Sequence, residues 1–301
     1  LSDRKGKAIF ITTPEGYNWV HELYLRGFED EEWYSFRSPS WENNYAYPKG
    51  EKDEDLLEAK RNMSLEIFEQ EYEALFTSFE GRVYPFDRNI HMGNFAYDPQ
   101  LPTYCSIDFG FRMPAVLWLQ TYREEGKWHI SIIDEILHET NIKTDELARR
   151  VKNKAYNVQK YFGDPAGKSV QGQTGLGDIE IFRKLGIHIF SVRDRVSRDI
   201  NSGVSHIRKF IENAKGENRL HVSNKCIGIC EDLENYRYPE HKEGTDLKLS
   251  PIKDGYTDHG ADCLRYFFIN RFPIKSNELM FTKRGKNELY RRYNKRINTR
   301  A

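Results

Sequence analysis

The chain has 301 residues and balances 46 Lys+Arg against 46 Asp+Glu, so net charge selects no class of partner. Aromatic residues make up 14% of it, ample for a packed core, which excludes disorder throughout. No apolar run approaches the roughly 18 residues of a membrane span, no charged-then-apolar leader is visible, and four cysteines are too few for a disulfide scaffold. The expectation is a soluble, intracellular, globular protein with no membrane partner.

Residues 6–13 (GKAIFITT) read as a core strand. A buried strand needs a neighbour, and none precedes it. The 301 residues therefore read as the C-terminal portion of a longer polypeptide. The turn TPEG (13–16), a short helix and a loop rich in Ser, Pro and Trp follow. Residues 51–80 carry ten acids against three bases and predict one or two solvated helices, with apolar spacing at Leu65, Phe68, Tyr72 and Leu75.

From about residue 84 the pattern changes. Three short strands are expected at 103–111, 115–122 and 127–136, the last two joined as a hairpin by REEG (123–126). A helix (144–155), a strand (158–164), a helix (179–185) and a strand (187–192) come next. Helices at 198–214 and 226–236, a Pro/Gly-rich stretch with hairpin character (238–256) and a last helix (258–270) complete the pattern. Residues 275–301 carry nine bases against two acids: either a soluble end or an arm that follows a phosphate backbone. This order predicts an α/β fold of ribonuclease H-like type, a mixed five-stranded sheet flanked by helices.

The carboxylates carry the chemistry. Asp108 interrupts an apolar strand in SIDFG, where an acid is costly unless paired, hydrogen-bonded or bound to a metal. Asp164 ends the strand that should lie parallel and adjacent to it, so the two acids would meet at one end of the sheet, where ligand sites form. In YTDHGADCLRYFF (256–268), Asp258, His259 and Asp262 share a helical face, while Cys263, Leu264, Phe267 and Phe268 form an apolar stripe for the sheet. Asp258 reads either as a ligand or as the helix N-cap, and His259 as a ligand, a general base, a phosphate contact or a packed ring.

Hard oxygen ligands from three segments describe a Mg²⁺ or Mn²⁺ site. Two such ions about 3.5–4 Å apart can activate water and stabilise the leaving oxygen in phosphodiester cleavage. GDPAGKS (163–169) has three residues between its glycines where a P-loop needs four, and GQTGLG (172–177) has Thr174 where the dinucleotide fingerprint needs Gly. The second reads as a Gly-rich loop beside Asp164, with Lys168 within reach of a phosphate.

Over most of its length the chain resembles the large terminase subunit of tailed bacteriophages, the motor and nuclease that packages viral DNA. GKAIFITTPEGYNWVHELYLRG (6–27) is similar to the segment that closes that family's ATPase domain, and MSLEIFEQEYEALF (63–76) with GRVYPF (81–86) to the lead into its nuclease domain. SIDFG, GDPAG and DHGADCLRY stand where the nuclease keeps its metal-binding acids.

The resemblance implies three parts: residues 1–80 as the end of the ATPase domain with linker helices, 81–274 as a ribonuclease H-like nuclease domain, and 275–301 as a basic tail. It implies Asp108 and Asp164 as primary metal ligands, with the third from Asp262 or His259, and the 238–256 stretch as a hairpin governing DNA access. Asp108 would bridge two Mg²⁺ or Mn²⁺ ions, while Lys168, Lys253 and the tail would meet phosphates. The expected activity is endonucleolytic cleavage of concatemeric double-stranded phage DNA with little sequence preference.

The nucleotide-binding loops of the family would precede Leu1, so ATP hydrolysis is not expected of this chain alone. Implied partners are double-stranded DNA, the portal protein and the small terminase subunit, in an oligomer on the capsid portal. The implied location is the cytoplasm of the infected bacterium and, transiently, the portal vertex. Rival readings are an actin-like ATPase or sugar kinase, weakened by Phe111 where a phosphate loop needs a hydroxyl; a transposase- or integrase-type strand transferase; and a non-catalytic DNA-binding module.

Overall fold

In the computed structural model, residues 6–14, 19–76, 81–109, 113–164, 177–191, 199–239 and 250–273 are described. Lys168, most of GQTGLG, residues 240–249 of the expected hairpin and the basic stretch 275–301 lie outside them.

The first helices are α1 (Trp19–Arg26), α2 (Glu54–Asn62), α3 (Leu65–Glu71) and α4 (Arg88–His91). The acidic stretch is thus two helices, and Asp53 opens α2 by accepting from the Asp55 N–H at 3.2 Å. α3 buries Ile67, Phe68 and Gln70, whereas Leu65, expected on the apolar face, is 48% exposed. The core strand expected at 6–13 does not form. Those residues have no ladder partner among the described residues, and Ile9 and Ile11 are 82% and 90% exposed.

The sheet contains β1 (Met92–Gly93), β2 (Thr103–Asp108), β3 (Ala115–Glu124), β4 (Lys127–Ile136), β5 (Val158–Gly163), β6 (Ile189–Phe190) and β7 (Leu220–Ser223). Its order is β1-β7-β4-β3-β2-β5-β6. β2 to β6 are the five expected strands, and two short ones, β7 and β1, extend the β4 edge in parallel. β3 and β4 meet through a two-residue loop, Glu125 and Gly126, both at positive φ (50° and 77°), the conformation that suits the twist of a hairpin.

The helices α5 (Thr144–Asn153), α6 (Asp178–Lys184), α7 (Ile200–Ile211), α8 (Ile227–Asn235) and α9 (Thr257–Arg271) cover the sheet on both faces. Alternation along β2 sorts the two layers. Tyr104 packs in the core with residues of α7, α8 and α9, while Cys105 and Ile107 pack in a second core with residues of α5 and α6. A sheet covered on both faces needs strands that are apolar throughout, and all six residues of β2 are buried. Asp108 is the exception among them in being charged.

Candidate active site

β2 lies antiparallel to β3 and parallel to β5, with Asp108 opposite Ala115 and Ile107 opposite Gly163. Asp164, one residue past Gly163, therefore ends its strand beside Asp108, as expected. Gly163 makes this approach possible: a Cβ there would lie 3.2 Å from the Ile107 carbonyl oxygen and 3.0 Å from Ile189.

α9 is fastened across the strand ends. The Ser106 hydroxyl donates to the Cys263 carbonyl at 2.6 Å, and the Cys263 thiol donates to the Ser106 carbonyl at 3.0 Å. Phe267 packs against Tyr104 and Phe162 from the same side, with ring centroids 5.8 and 6.1 Å away. Cys263, Leu264, Phe267 and Phe268 are fully buried, so the expected apolar stripe does pack on the sheet. Burial of one such phenylalanine contributes about 1.5–3 kcal/mol.

This docking brings His259 to Asp108, with Nδ1 2.8 Å from Oδ2. A carboxylate that accepts from Nδ1–H fixes the tautomer and leaves the lone pair on Nε2. Asp108 is 8% exposed, and burial pushes its pKa up; the hydrogen bond from His259 opposes that shift, while the charges of Asp262 and Asp164 add to it. The same hydrogen bond raises the pKa of His259. Three carboxylates thus act on one another at the end of the sheet.

Asp262 is also held by cations. Arg265 donates to its Oδ1 through Nε and Nη2, at 3.0 and 2.9 Å, in a pair whose side chains are 7% and 9% exposed. Lys253 pairs with its Oδ2 and lies 3.6 Å from Asp258 Oδ2. Gly203 of α7 makes room for Arg265, since a Cβ there would lie 2.6 Å from its stem. Asp258 accepts from the Gly255 N–H at 2.7 Å and does not cap α9. Tyr256 holds the N-cap position without a side-chain bond, and the N–H groups that open the helix are met by Asp254, which accepts from Tyr256 and Thr257 at 2.9 Å.

Sequence reading missed Asp254, Arg265 and Tyr266, whose hydroxyl pKa rises through burial and the charges of Asp108 and Asp262. Arg265 carried a local signal, an Asp–Arg pair at helical spacing; the others carried none.

Among the described residues, no three His, Cys, Asp or Glu side chains converge closely enough to enclose an ion as they stand. The donor set nevertheless fits a hard divalent cation: carboxylate oxygens, one imidazole nitrogen, and a buried acid, Asp108, whose pKa is raised by burial first and then by the charges of Asp262 and Asp164. The Lys253 ammonium already draws on that charge at Asp258 and Asp262. An ion at Asp262 would displace Lys253, whereas His259 already uses Nδ1 on Asp108 and has Nε2 left to offer.

No protein-family model matches the chain. It is 26% identical over 281 residues to the large terminase subunit of Escherichia phage T5, covering 88% of this chain and 58% of that protein. In three dimensions it is similar to the large terminase of a thermophilic bacteriophage, with a TM-score of 0.60, 18% identity, and 85% and 61% of the two chains covered. The ADP complex of that thermophilic phage protein gives the same TM-score and identity, over 85% and 60%. The chain thus spans about three fifths of the length of these relatives. At 18% identity the structural likeness concerns the fold; the sequence likeness is separate and covers most of the chain. By sequence and by fold, the chain is similar to phage large terminase subunits, the family that its motifs resemble.

Proposed function

We propose that this chain is the nuclease-bearing portion of a DNA-packaging terminase large subunit, a Mg²⁺- or Mn²⁺-dependent endonuclease that cuts concatemeric double-stranded phage DNA. The observation that carries this reading is Asp108: a buried strand acid at the end of a ribonuclease H-like sheet, bonded to His259, its pKa pushed up by burial and then by the charges of Asp262 and Asp164.

Asp108 and Asp164 hold the ions, with His259 or Asp262 completing the set. Two bound ions would supply a water activated at neutral pH and charge stabilisation for the leaving oxygen. Asp108 orients the His259 ring by accepting from Nδ1–H, keeping Nε2 aimed away from the carboxylate. Arg265 holds one oxygen of Asp262 and fixes the direction of the other. Lys253 places positive charge at the carboxylates, where an incoming phosphodiester would otherwise meet only negative charge. Lys168 and residues 275–301 position the duplex by its phosphates, without reading bases.

In the intact protein we place residues 1–80 at the end of the ATPase domain, 81–274 in the nuclease and 275–301 in a basic tail. ATP hydrolysis belongs to a region that the 301 residues do not include. The portal protein and the small terminase subunit are the proposed partners, in an oligomer at the portal vertex of the capsid inside the infected cell.

Plasmid cleavage tests the proposal. With Mn²⁺ or Mg²⁺ the chain should nick and linearise supercoiled DNA, EDTA should abolish cutting, and Asp108→Asn and Asp164→Asn should each remove it. Cutting that survives both substitutions would overturn the site. Folded protein with no cutting under any metal would favour a DNA-binding module.

A further inference from the structure

Another buried acid packs against α9 at Gly260, the residue after His259. Asp232 of α8 is 0% exposed. Its Oδ1 is 2.8 Å from His138 Nε2, while the Gly260 backbone N–H also donates to the carboxylate, opposing the upward shift of its pKa. Oδ2 faces Gly260, where a Cβ would lie only 2.0 Å away. Gly260 separates His259 from Asp262, so Asp232 abuts the helix turn that carries two candidate site residues. No other residue type fits against it.

His138 is held from several sides. It follows β4 with φ at 59°, a left-handed conformation that a non-glycine residue keeps only when its surroundings impose it. Its ring stacks on Tyr256, the residue that opens α9, with centroids 4.2 Å apart and planes 15° from parallel. Its Nδ1 is 3.6 Å from Glu231 Oε2. The end of β4 is thereby tied to both α8 and the entry of α9. Burial, followed by the charges of Glu135, Asp254 and Glu231, pushes the Asp232 pKa up to about 9, so the contact adds little negative charge near the site at neutral pH.

We propose that Asp232 and His138 are a positioning pair for the first turn of α9, setting where the His259 ring meets Asp108. The consequence for cleavage rests on the nuclease reading; the geometric claim does not. Ordinary packing would hold α9 through its apolar stripe, four to nine residues further along, and would leave the orientation of His259 to chance. Outer partners of this kind typically change metal affinity or activity by about 10–100-fold.

The test is imidazole ¹H–¹⁵N NMR of the full, metal-free chain, with the His259 signals assigned by His259→Gln. In His138→Ala the His259 signals should shift or split, and His138→Gln, which can still reach Asp232, should return them towards wild type. Where the wild type cuts plasmid, His138→Ala should also raise the half-saturating Mn²⁺ concentration about tenfold. Should His138→Ala fail to fold by far-UV circular dichroism, Tyr256→Leu removes the ring stack and should produce the same shift. Unmoved His259 signals in a folded variant would overturn the positioning pair, whether or not the chain is a nuclease. A wild type that never cuts DNA would instead overturn the nuclease reading and leave the NMR result to decide this one.

Discussion

Asp108 on β2 and Asp134 on β4 are buried almost equally in the same sheet, 8% and 9% exposed, yet their surroundings differ in sign. Asp134 faces the α5 layer, where Lys154 donates to its Oδ2 at 2.5 Å and the Tyr156 hydroxyl at 2.7 Å. Burial pushes its pKa up, but those two hydrogen bonds, the charge of Lys154 and the Glu135 N–H together outweigh it and the net shift is down. Asp108 has one imidazole and two further carboxylates, and its net shift is up. Folding has answered the charge of Asp134 from within the chain. It has left that of Asp108 for something outside it. A buried acid whose charge the fold does not balance is a candidate for function, and Asp108 differs from Asp232, which is pushed up further, in meeting two other carboxylates at the end of the sheet.

Substitutions should separate the two acids. Asp108→Asn should reduce plasmid cleavage by more than the about 100-fold that loss of an outer partner costs. It should leave thermal stability in EDTA unchanged or raised, because it removes a charge that the metal-free fold holds at a disadvantage. A lowered melting temperature in EDTA would place Asp108 with Asp134. Asp262 tests the middle ground, since Arg265 satisfies one of its oxygens as Lys154 satisfies Asp134. Arg265→Ala should destabilise by at most about 3–5 kcal/mol in chemical denaturation, the consequence of stripping the partner from one oxygen of a buried carboxylate while Lys253 keeps the other. Adding Asp262→Asn to it should recover most of that loss, and a purely additive double variant would show that the pair is not coupled.

Asp134→Ala should cost less, about 1–3 kcal/mol, because Lys154 is 35% exposed and water can take over part of its solvation. The cleavage rate of the folded fraction should stay within a few fold. The smallest effect concerns a buried base. His221 stacks on Phe95, lies 3.2 Å from His129 by its Nε2, and has its pKa lowered to about 4 by burial and then by His129. The unfolded chain takes up that proton near the ordinary value of 6.5, so stability should fall as pH drops from 6.5 towards 4. His221→Asn should flatten that part of the curve. An unchanged slope would assign the acid sensitivity to other groups.

The sequence made some of this legible. An acid inside SIDFG stands out because its neighbours are apolar, and DHGAD stands out because helical spacing is local information. Register was legible too: a strand ending in Asp164, parallel to the first, could only bring the two acids to one edge. The Asp232–His138 pair was not. It joins residues 94 positions apart, and nothing near either one marks the contact. Nor was the position of Lys253, a flexible side chain that settles on whichever carboxylates the fold presents. The strand expected at 6–13 failed for a related reason, since β propensity in GKAIFITT describes a segment that suits a ladder, and no partner strand is present among the described residues. β7 and β1, with four and two residues, are too short to show periodicity and exist through pairing with β4 and with each other.

Binding of Mn²⁺ to the full chain, followed by isothermal titration calorimetry beside Asp108→Asn, most directly tests whether the unbalanced acid is a metal ligand. Saturable uptake by the wild type and none by the folded variant is the expected result. Equal uptake by both, or none by either, would contradict it.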